Sequence, residues 1–365
     1  MNLLFVESSI AIEGGGASRM LVWVANQFAK DGHQVSIYTH KVQKGPLYDV
    51  DKNIKVYSTE PQREKCFLYP VPHVRRLMKK TRPDIVISFM TDSNMYCLLA
   101  KIGTGIPVCI CERNDPALHE KQPLKFKIAL WMSRFADCAS FQLQAAADYY
   151  SWLKCPISVI PNPVPRPKAM VTKAFAERRN EICCSSRIEF VQKRQDVLIK
   201  AFAVVLKSHP EMVLRLIGSG PHVDEAKTLA KKLGIADKVL LPGQMKDPVT
   251  YMVDSKIYVL SSDYEGIPNA LSEALASGLP CVSTDVSPGG ARLLISNKKN
   301  GIIVPCNDPQ SMAEAINYML DNPNKADEMG CEAKKNTERF SEERIYMMWK
   351  KFISDFLDRK KKGKF

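Results

Sequence analysis

The chain has 365 residues, the length of two ordinary domains. Its 52 basic and 39 acidic residues leave a net charge of +13, which indicates an anionic partner: nucleic acid, an acidic membrane face or a phosphorylated substrate. No segment approaches the roughly 18 consecutive apolar residues of a membrane span, so the sequence excludes a transmembrane protein.

The N-terminus and the cysteines favour a cytoplasmic location. No basic residue precedes the first apolar run, which leads directly into a glycine loop, so we expect no signal peptide. The 11 cysteines are an odd number, and several stand inside apolar runs, where they would pack as small hydrophobic residues. We therefore expect a reduced cytosolic environment.

Short apolar runs alternate with helix-patterned segments throughout, which is typical of the α/β class with parallel sheets. In the first half, strands are predicted at residues 3–7, 34–39, 54–57, 85–90, 108–112, 136–140 and 157–160. In the second half, they are predicted at residues 181–185, 213–218, 239–241, 257–260, 280–283 and 301–304.

Four prolines between residues 160 and 168 separate the two series, and so many fixed φ angles suit neither a helix nor a central strand. We therefore predict two doubly wound, Rossmann-like domains, residues 1–160 and 176–340, facing each other across a cleft and joined by a linker at 161–175. A C-terminal amphipathic helix at 341–358 is placed to pack back on the first domain.

A glycine loop follows the first predicted strand and precedes a helix predicted at residues 18–30. Gly14, Gly15 and Gly16 would let the backbone approach a ligand at the helix N-terminus, where unpaired N–H groups favour phosphate. The dinucleotide-binding fingerprint is incomplete, because Arg19 stands where a third glycine belongs. A loop that merely turns tightly is the alternative.

Basic and glycine-rich loops recur after strands of the second half. Arg187 and Lys193 follow the first of these strands, at the edge where open α/β sheets bind ligands, and two cations there could neutralise a diphosphate. Gly218, Ser219 and Gly220 follow the next strand. Solvated lysine and arginine side chains and an ordinary turn are the alternatives.

A third loop carries two carboxylates. Glu265 follows the strand predicted at 257–260, and Glu273 lies on the helix that Pro268 and Asn269 open. An anion site at that helix N-terminus would combine with hydroxyl recognition by the carboxylates. Taken alone, the pair could also be two surface glutamates.

These residues resemble the E-x7-E region of retaining family 4 glycosyltransferases of the GT-B fold, in the sequence EGIPNALSEALASGLPCVSTD. The resemblance covers nearly the whole chain in matching order: the glycine loop, the IPNPV linker, Ser186-Arg187 before KRQD, Gly218-Ser219-Gly220, and Gly289-Gly290 before NGIIVP. Six common pieces in order are specific. The ERNDP element at residues 112–116 resembles that of the branch that builds bacterial exopolysaccharide, O-antigen and capsule.

The resemblance implies that the second domain binds a nucleotide sugar, which we expect to be UDP-linked. Arg187 and Lys193 match the diphosphate-binding pair, Glu273 matches the ribose-binding carboxylate, and Glu265 matches the acid near the donor sugar. Catalysis is expected from Glu265, Arg187 and Lys193. The expected donor-binding set is Gly15, Gly16, Arg187, Lys193, Gly218, Gly266, Ile267, Pro268, Asn269 and Glu273.

No side chain is an obvious nucleophile for a double displacement, so we expect a front-face transfer in which the departing diphosphate helps deprotonate the acceptor. No metal or other cofactor is expected, because the sequence has neither a D-x-D element nor a histidine and cysteine cluster.

The acceptor side departs from the family pattern. Many members carry a histidine after an N-domain strand, where this chain reads CERNDP. Glu112 and Arg113 are candidates for contact with the acceptor or a phosphate, although Arg113 could instead pair with Glu112 or Asp115. His119 is a weaker candidate to replace the missing histidine.

Two segments of the first domain concentrate the positive charge. Residues 63–82 hold seven basic residues and one acid, and residues 121–134 hold four basic residues, no acid and several large apolar ones. Such segments suit contact with an anionic bilayer, whereas a solvated helix with an apolar core side is the alternative.

The sequence thus predicts transfer of a hexose or N-acetylhexosamine to a lipid-linked or growing bacterial surface glycan, at the inner face of the cytoplasmic membrane. A catalytically silent sugar-nucleotide-binding relative and a lipopolysaccharide core glycosyltransferase are the alternatives. Nucleic acid is not an expected partner, because the sequence shows no recognition module.

Overall fold

Two parallel β-sheets organise the part of the chain that the structure describes. The computed structural model describes residues 1–12, 15–41, 46–59, 67–113, 115–116 and 123–363. The chain divides into unit 1, Met1–Asn162 with Glu343–Phe365, and unit 2, Pro163–Glu342. Across the described ranges, no helix combines the length and the apolar character that crossing a bilayer requires.

The described strands of unit 1 form a seven-stranded sheet in the order β3-β2-β1-β4-β5-β6-β7. Their bounds are β1 Asn2–Glu7, β2 Gln34–Thr39, β3 Lys55–Ser58, β4 Ile85–Phe89, β5 Val108–Glu112, β6 Cys138–Phe141 and β7 Ile157–Val159. The helices around them are α1 Gly16–Lys30, α2 Pro70–Thr81, α3 Thr91–Ala100, α4 Leu124–Met132 and α5 Gln144–Tyr149.

The described strands of unit 2 form a six-stranded sheet in the order β10-β9-β8-β11-β12-β13. Their bounds are β8 Arg179–Ser185, β9 Val213–Ile217, β10 Val239–Gly243, β11 Ser255–Leu260, β12 Cys281–Thr284 and β13 Ile302–Val304. The helices are α6 Gln195–Val205, α7 Val223–Lys232, α8 Pro248–Met252, α9 Asn269–Ala276, α10 Gly290–Leu294, α11 Pro309–Asp321 and α12 Pro323–Thr337.

The central strands appear in the sequence as apolar runs because both of their faces are buried. Leu3, Leu4, Phe5 and Val6 of β1 are all fully buried, as expected for a central parallel strand. In both sheets every described pairing between the named strands is parallel. The predicted α/β class with two Rossmann-like sheets is confirmed.

The proline-rich segment differs from the predicted linker at 161–175. Residues 163–175 belong to unit 2, where the Val164 N–H donates to the Phe340 carbonyl at 2.8 Å and the Val171 N–H donates to the Ser277 carbonyl at 2.9 Å. Phe175 is buried in the core of this unit. The prolines exclude regular structure, but the apolar residues between them still pack.

The strand predicted at 136–140 begins later, at Cys138. The Ala136 N–H closes a turn on the Ser133 carbonyl at 2.9 Å, so pairing with β5 starts two residues further on.

The C-terminal helix α13, Glu342–Lys361, packs against unit 1. Trp349 is fully buried and stacks on Phe89 of β4 with ring centroids 6.2 Å apart. The Tyr346 hydroxyl donates to the Asp31 carboxylate at 2.6 Å. The end of the chain thereby completes the core of the unit that holds its beginning.

Candidate active site

The strand order of unit 2 reverses between β8 and β11. These two strands are neighbours in the sheet although β9 and β10 lie between them in sequence. In open α/β sheets, ligands bind at the carboxyl ends of the strands where the order reverses. The loops after Ser185 and Leu260 leave the sheet at this point.

Lys193 and Glu265 meet at this edge, 72 residues apart in the chain. The Lys193 ammonium donates to Glu265 Oε1, and the Ser262 hydroxyl donates to the same carboxylate oxygen at 2.9 Å. Both side chains are mostly buried, with 19% and 12% of their surface exposed. A partly desolvated ion pair of this kind is held more firmly than a surface pair, and it places a cation and a carboxylate side by side at this edge.

Arg187 lies in the same loop as Lys193 but is far more exposed. Its side chain is 63% exposed, and one guanidinium nitrogen lies 3.7 Å from Glu189 Oε2. Glu189 is buried and accepts the N–H groups of Val191 and Gln192 at 2.6 and 3.1 Å. Glu189 therefore shapes the loop from within, while Arg187 faces outward.

Gln195 is a second support of this loop that sequence reasoning missed. It is fully buried at the start of α6 and donates to the Ser186 hydroxyl at 2.7 Å and to the Arg187 carbonyl at 2.8 Å. It also accepts the Glu189 N–H at 3.0 Å. Its position at the start of a helix, among basic residues, was the sequence signal that could have identified it.

Arg194 connects the loops of β8 and β11. It adopts a left-handed conformation with φ of 52° and donates to Asp196 at 3.0 Å and to Asp263 at 2.8 Å. Its hydrogen bonds to these carboxylates, that to Asp196 first, raise the pKa of the Arg194 guanidinium, although its partial burial opposes them. Both loops are thus fixed to one permanently charged side chain.

Two glycines let the loops of this edge touch. Gly218 has φ of +143°, and a Cβ there would lie 2.0 Å from the Ser186 carbonyl oxygen. A Cβ on Gly290 would lie 1.8 Å from the Gly266 carbonyl oxygen. Both positions require glycine because backbone packs directly on backbone.

Helix α9 begins beside this edge. Ile267 and Pro268 are buried, so within the predicted segment 266–269 the backbone and Asn269, rather than these two side chains, can face a ligand. The first N–H groups of a helix have no intrahelical partner and favour an anion. Glu273 is half-buried one turn later.

The edge of unit 1 has a different character. Glu7 ends β1, is 2% exposed and accepts the Ser18 hydroxyl at 2.8 Å, the Ser8 hydroxyl at 3.2 Å and the Ser9 N–H at 3.4 Å. Burial raises the pKa of this carboxyl to about 7, against the lowering effect of these hydrogen bonds. Glu7 was not predicted as a site residue, because in the sequence it looks like an ordinary strand-ending residue.

The glycine loop lies beside Glu7. Gly15 caps α1 with φ of 80°, a conformation that favours glycine, and Gly16 is the first residue of the helix. Ser18 in the first turn of α1 bonds to Glu7, so the carboxylate fastens this helix to the end of β1. Gly14 lies outside the described residues.

Arg113 does not occupy the predicted phosphate-contacting position. Its guanidinium is buried beside the stacked rings of Phe89 and Trp349, 5.1 and 5.3 Å from their centroids, and donates to the Ile160 carbonyl at 3.2 Å. Burial lowers its pKa. The predicted position is wrong because Trp349 of α13, far away in sequence, covers a side chain that the local sequence would leave exposed.

Glu112 stays at the carboxyl end of β5 and is buried. It accepts the Thr91 hydroxyl at 2.7 Å and the Arg113 N–H at 3.2 Å. His119, the predicted replacement for the missing histidine, lies outside the described residues. Within the described ranges, no group of three histidine, cysteine, aspartate or glutamate side chains could hold a metal ion.

Comparison with known proteins gives the family of a chain with this fold. The model of glycosyl transferases group 1 matches residues 165–336, and that of glycosyltransferase family 4 matches residues 14–166. The chain therefore belongs to the family 4 glycosyltransferases of the GT-B fold.

Three similar proteins illustrate the family. A Campylobacter jejuni relative, named GalNAc-alpha-(1->4)-GalNAc-alpha-(1->3)-diNAcBac-PP-undecaprenol alpha-1,4-N-acetyl-D-galactosaminyltransferase, is 26% identical over 97% of this chain and 99% of its own. The lipopolysaccharide outer core galactosyltransferase WaaB has a TM-score of 0.78 and 21% identity, covering 97% of this chain and 99% of its own. Anabaena HepE in complex with UDP-glucose has a TM-score of 0.78 and 18% identity, covering 97% and 100%.

Proposed function

We propose that this glycosyltransferase moves a hexose or N-acetylhexosamine from a UDP-sugar, with retention of anomeric configuration, to a lipid-linked or growing bacterial surface glycan. The observation that carries the proposal is the Lys193–Glu265 pair where the strand order of unit 2 reverses. A cation for the diphosphate and a carboxylate for the sugar hydroxyls are in contact there, as a nucleotide-sugar donor requires.

The donor contacts follow from the arrangement of this edge. Lys193, exposed Arg187 and the first N–H groups of α9 would neutralise the diphosphate. Glu265 would exchange part of its bond to Lys193 for sugar hydroxyls, and Glu273 would accept from the ribose. Because Gln195, Glu189 and Arg194 fix the loops beforehand, little ordering would remain to be done on binding.

The transfer itself would occur on one face of the sugar. The bond from the anomeric carbon to the diphosphate oxygen breaks, the acceptor oxygen bonds to the same face, and the acceptor proton passes to the departing phosphate. Lys193 and Arg187 would stabilise the charge that develops on that phosphate. This chemistry uses a phosphate oxygen as the base and requires neither a metal nor an enzyme nucleophile.

The acceptor part of the proposal rests on relatives and on charge. The name of the Campylobacter relative includes a glycan linked to undecaprenyl diphosphate. In unit 1, the basic side chains Arg76, Lys79 and Lys80 of α2 are exposed. A peripheral position at the inner face of an anionic membrane would bring the enzyme to such an acceptor.

The test is a donor screen followed by product analysis. The purified chain is incubated with UDP- and GDP-sugars and hydrolysis is measured; we expect turnover of a UDP-sugar and none of the GDP-sugars. Transfer to a short polyprenyl diphosphate-linked sugar should then give an α linkage from an α donor in an NMR spectrum. A β product, or turnover confined to GDP-sugars, would overturn the assignment.

A matched pair of variants separates catalysis from simple binding. Glu265→Gln should lower transfer by about 100-fold, since the carboxylate acts on the reacting sugar. Glu225→Gln, an exposed glutamate on α7, should leave it unchanged. Equal activity of Glu265→Gln and the unmodified chain would instead indicate that Glu265 has no role in the reaction.

A further inference from the structure

Helix α4 and the turn after it carry a row of large apolar side chains that point into solvent. Leu124, Ile128, Trp131 and Phe135 are 71%, 48%, 52% and 52% exposed. Their spacing of four, three and four residues places them on one side of the helix. We name these four residues the apolar stripe.

The opposite side of α4 is the one that packs on the protein. Ala129 is buried against Met95 and Tyr96 of α3, and Met132 packs on the same cluster. Phe126 is half-buried. The helix therefore carries apolar residues on its packed side and on its exposed side, while unit 1 covers the packed side only. A helix of this kind needs a second apolar environment, and contiguous exposed apolar surface commonly marks an interaction site.

Cations border the stripe on both sides. At 100° per residue, Lys125 lies on one flank and Lys127 and Arg134 lie on the other, and all three are exposed. No acidic residue occurs between residues 123 and 135. The Arg134 guanidinium lies 5.1 Å from the centre of the Trp131 ring, a pairing suited to a boundary between apolar and polar surroundings.

A second basic helix belongs to the same cluster. Val71 of α2 packs with Met95, Tyr96 and Ala129, so α2 and α4 both rest on α3. The exposed cations of α2 thus extend the positive surface beside α4. The apolar residues of α4 are therefore not all core, because those of the stripe are exposed.

We propose that the apolar stripe enters the headgroup region of an anionic lipid bilayer, with its flanking cations contacting lipid phosphates. Aliphatic and aromatic side chains bordered by lysine and arginine are typical of helices that lie in such an interface. A second copy of this chain fits less well, because a two-fold contact through the stripe would bring the same cations together.

The inference rests on the proposed function only for the nature of the acceptor. It names the surface that would hold the enzyme where a lipid-linked acceptor resides. Binding to vesicles and turnover of a soluble donor are separate measurements, so the two proposals can fail independently.

The experiment compares two single substitutions that change charge equally. Ile128→Asp places an acid in the stripe, and Met347→Asp places one at an apolar residue of α13 that is 56% exposed. Co-flotation is measured with vesicles of about 30 mol% phosphatidylglycerol in phosphatidylcholine and with pure phosphatidylcholine. We expect Ile128→Asp to lower binding to the anionic vesicles by about tenfold, since a buried aliphatic side chain is lost, and Met347→Asp to lower it less than about twofold.

Trp131 reports insertion directly. Brominated phosphatidylcholine in the anionic vesicles should quench tryptophan fluorescence of the unmodified chain, and Trp131→Leu, which keeps the stripe apolar, should bind while losing most of that quenching. Equal vesicle binding by Ile128→Asp and Met347→Asp would overturn the proposal. So would a dimer in sedimentation velocity that Ile128→Asp dissociates without any change in vesicle binding.

Donor hydrolysis is measured without vesicles, so that the proposed function is tested separately from lipid binding. Ile128→Asp should hydrolyse the UDP-sugar at the rate of the unmodified chain, because α4 lies outside the donor edge. If no UDP-sugar is turned over, the proposed function fails, whereas the vesicle result still decides whether the stripe binds lipid.

Discussion

The carboxyl edges of the two sheets show how one topology can serve two kinds of chemistry. In unit 2 the edge presents Lys193 paired with Glu265 and, beside them, the exposed Arg187. In unit 1 the corresponding edge carries Glu7 and Glu112, both buried and bonded to hydroxyl and backbone N–H groups. The edge of unit 2 therefore carries paired side-chain charges and one exposed cation, while the carboxylates of unit 1 hold their own loops in place.

The first prediction concerns the close backbone contact between Gly266 and Gly290 at the edge of unit 2. Gly290→Ala places a Cβ 1.8 Å from the Gly266 carbonyl oxygen, so the segment that carries Glu265 must move by about 1 Å. We expect transfer activity to fall by about 100-fold, measured as kcat/KM with saturating acceptor.

Gly234→Ala is the matched control for this substitution. Its φ of +71° strains any other residue, but nothing lies within 4 Å of the added Cβ. It should cost about 1 kcal/mol in the free energy of unfolding and leave activity intact. Equal activities for the two variants would contradict the close packing of residues 266 and 290.

Strands and candidate site residues could be predicted from the sequence, whereas contacts between distant segments could not. The strands were readable because doubly covered parallel strands are continuous apolar runs, and Lys193 and Glu265 were identified from motifs that follow β8 and β11. Their direct contact was not readable from spacing, because it depends on β11 pairing with β8 across two intervening strands. Arg113 was misplaced for the same reason, since Trp349 reaches it from the other end of the chain.

The second prediction concerns the buried carboxyl of unit 1. The pKa of Glu7 is about 7 in the folded chain and about 4.5 when unfolded, so the folded protein retains a proton that the unfolded chain releases between these values. The free energy of unfolding should therefore contain a contribution that is present below pH 4.5 and is lost as the pH rises through about 7, amounting to about 3 kcal/mol.

Urea unfolding of the full chain at pH 5 and pH 7.5 measures this contribution. Glu7→Gln should remove it, so the difference between the two pH values should shrink by about 2 kcal/mol, since part of the contribution is already lost at pH 5. Glu225→Gln, with an exposed side chain, should preserve it. An unchanged pH dependence in Glu7→Gln would show that the carboxyl is not desolvated.

The third prediction separates stability from catalysis in unit 1. Arg113→Ala removes a side chain packed against both Phe89 and Trp349, and we expect a loss of about 2 kcal/mol in the free energy of unfolding from the cavity. Affinity for UDP should stay within about twofold, because Arg113 is buried among unit 1 residues. Arg76→Ala, an exposed arginine on α2, should change stability by less than about 0.5 kcal/mol. A large loss of UDP affinity without loss of stability would restore Arg113 as a phosphate ligand.

Calorimetric titration of UDP into the full chain tests the central claim most directly, namely that Lys193 at the edge of unit 2 holds the donor diphosphate. Lys193→Ala should weaken UDP binding by about 10- to 100-fold, the value of a hydrogen bond between charged groups, and exposed Arg187→Ala should weaken it less. Lys207→Ala, an exposed lysine near the end of α6, should bind UDP as the unmodified chain does. Unchanged affinity in Lys193→Ala would contradict the account.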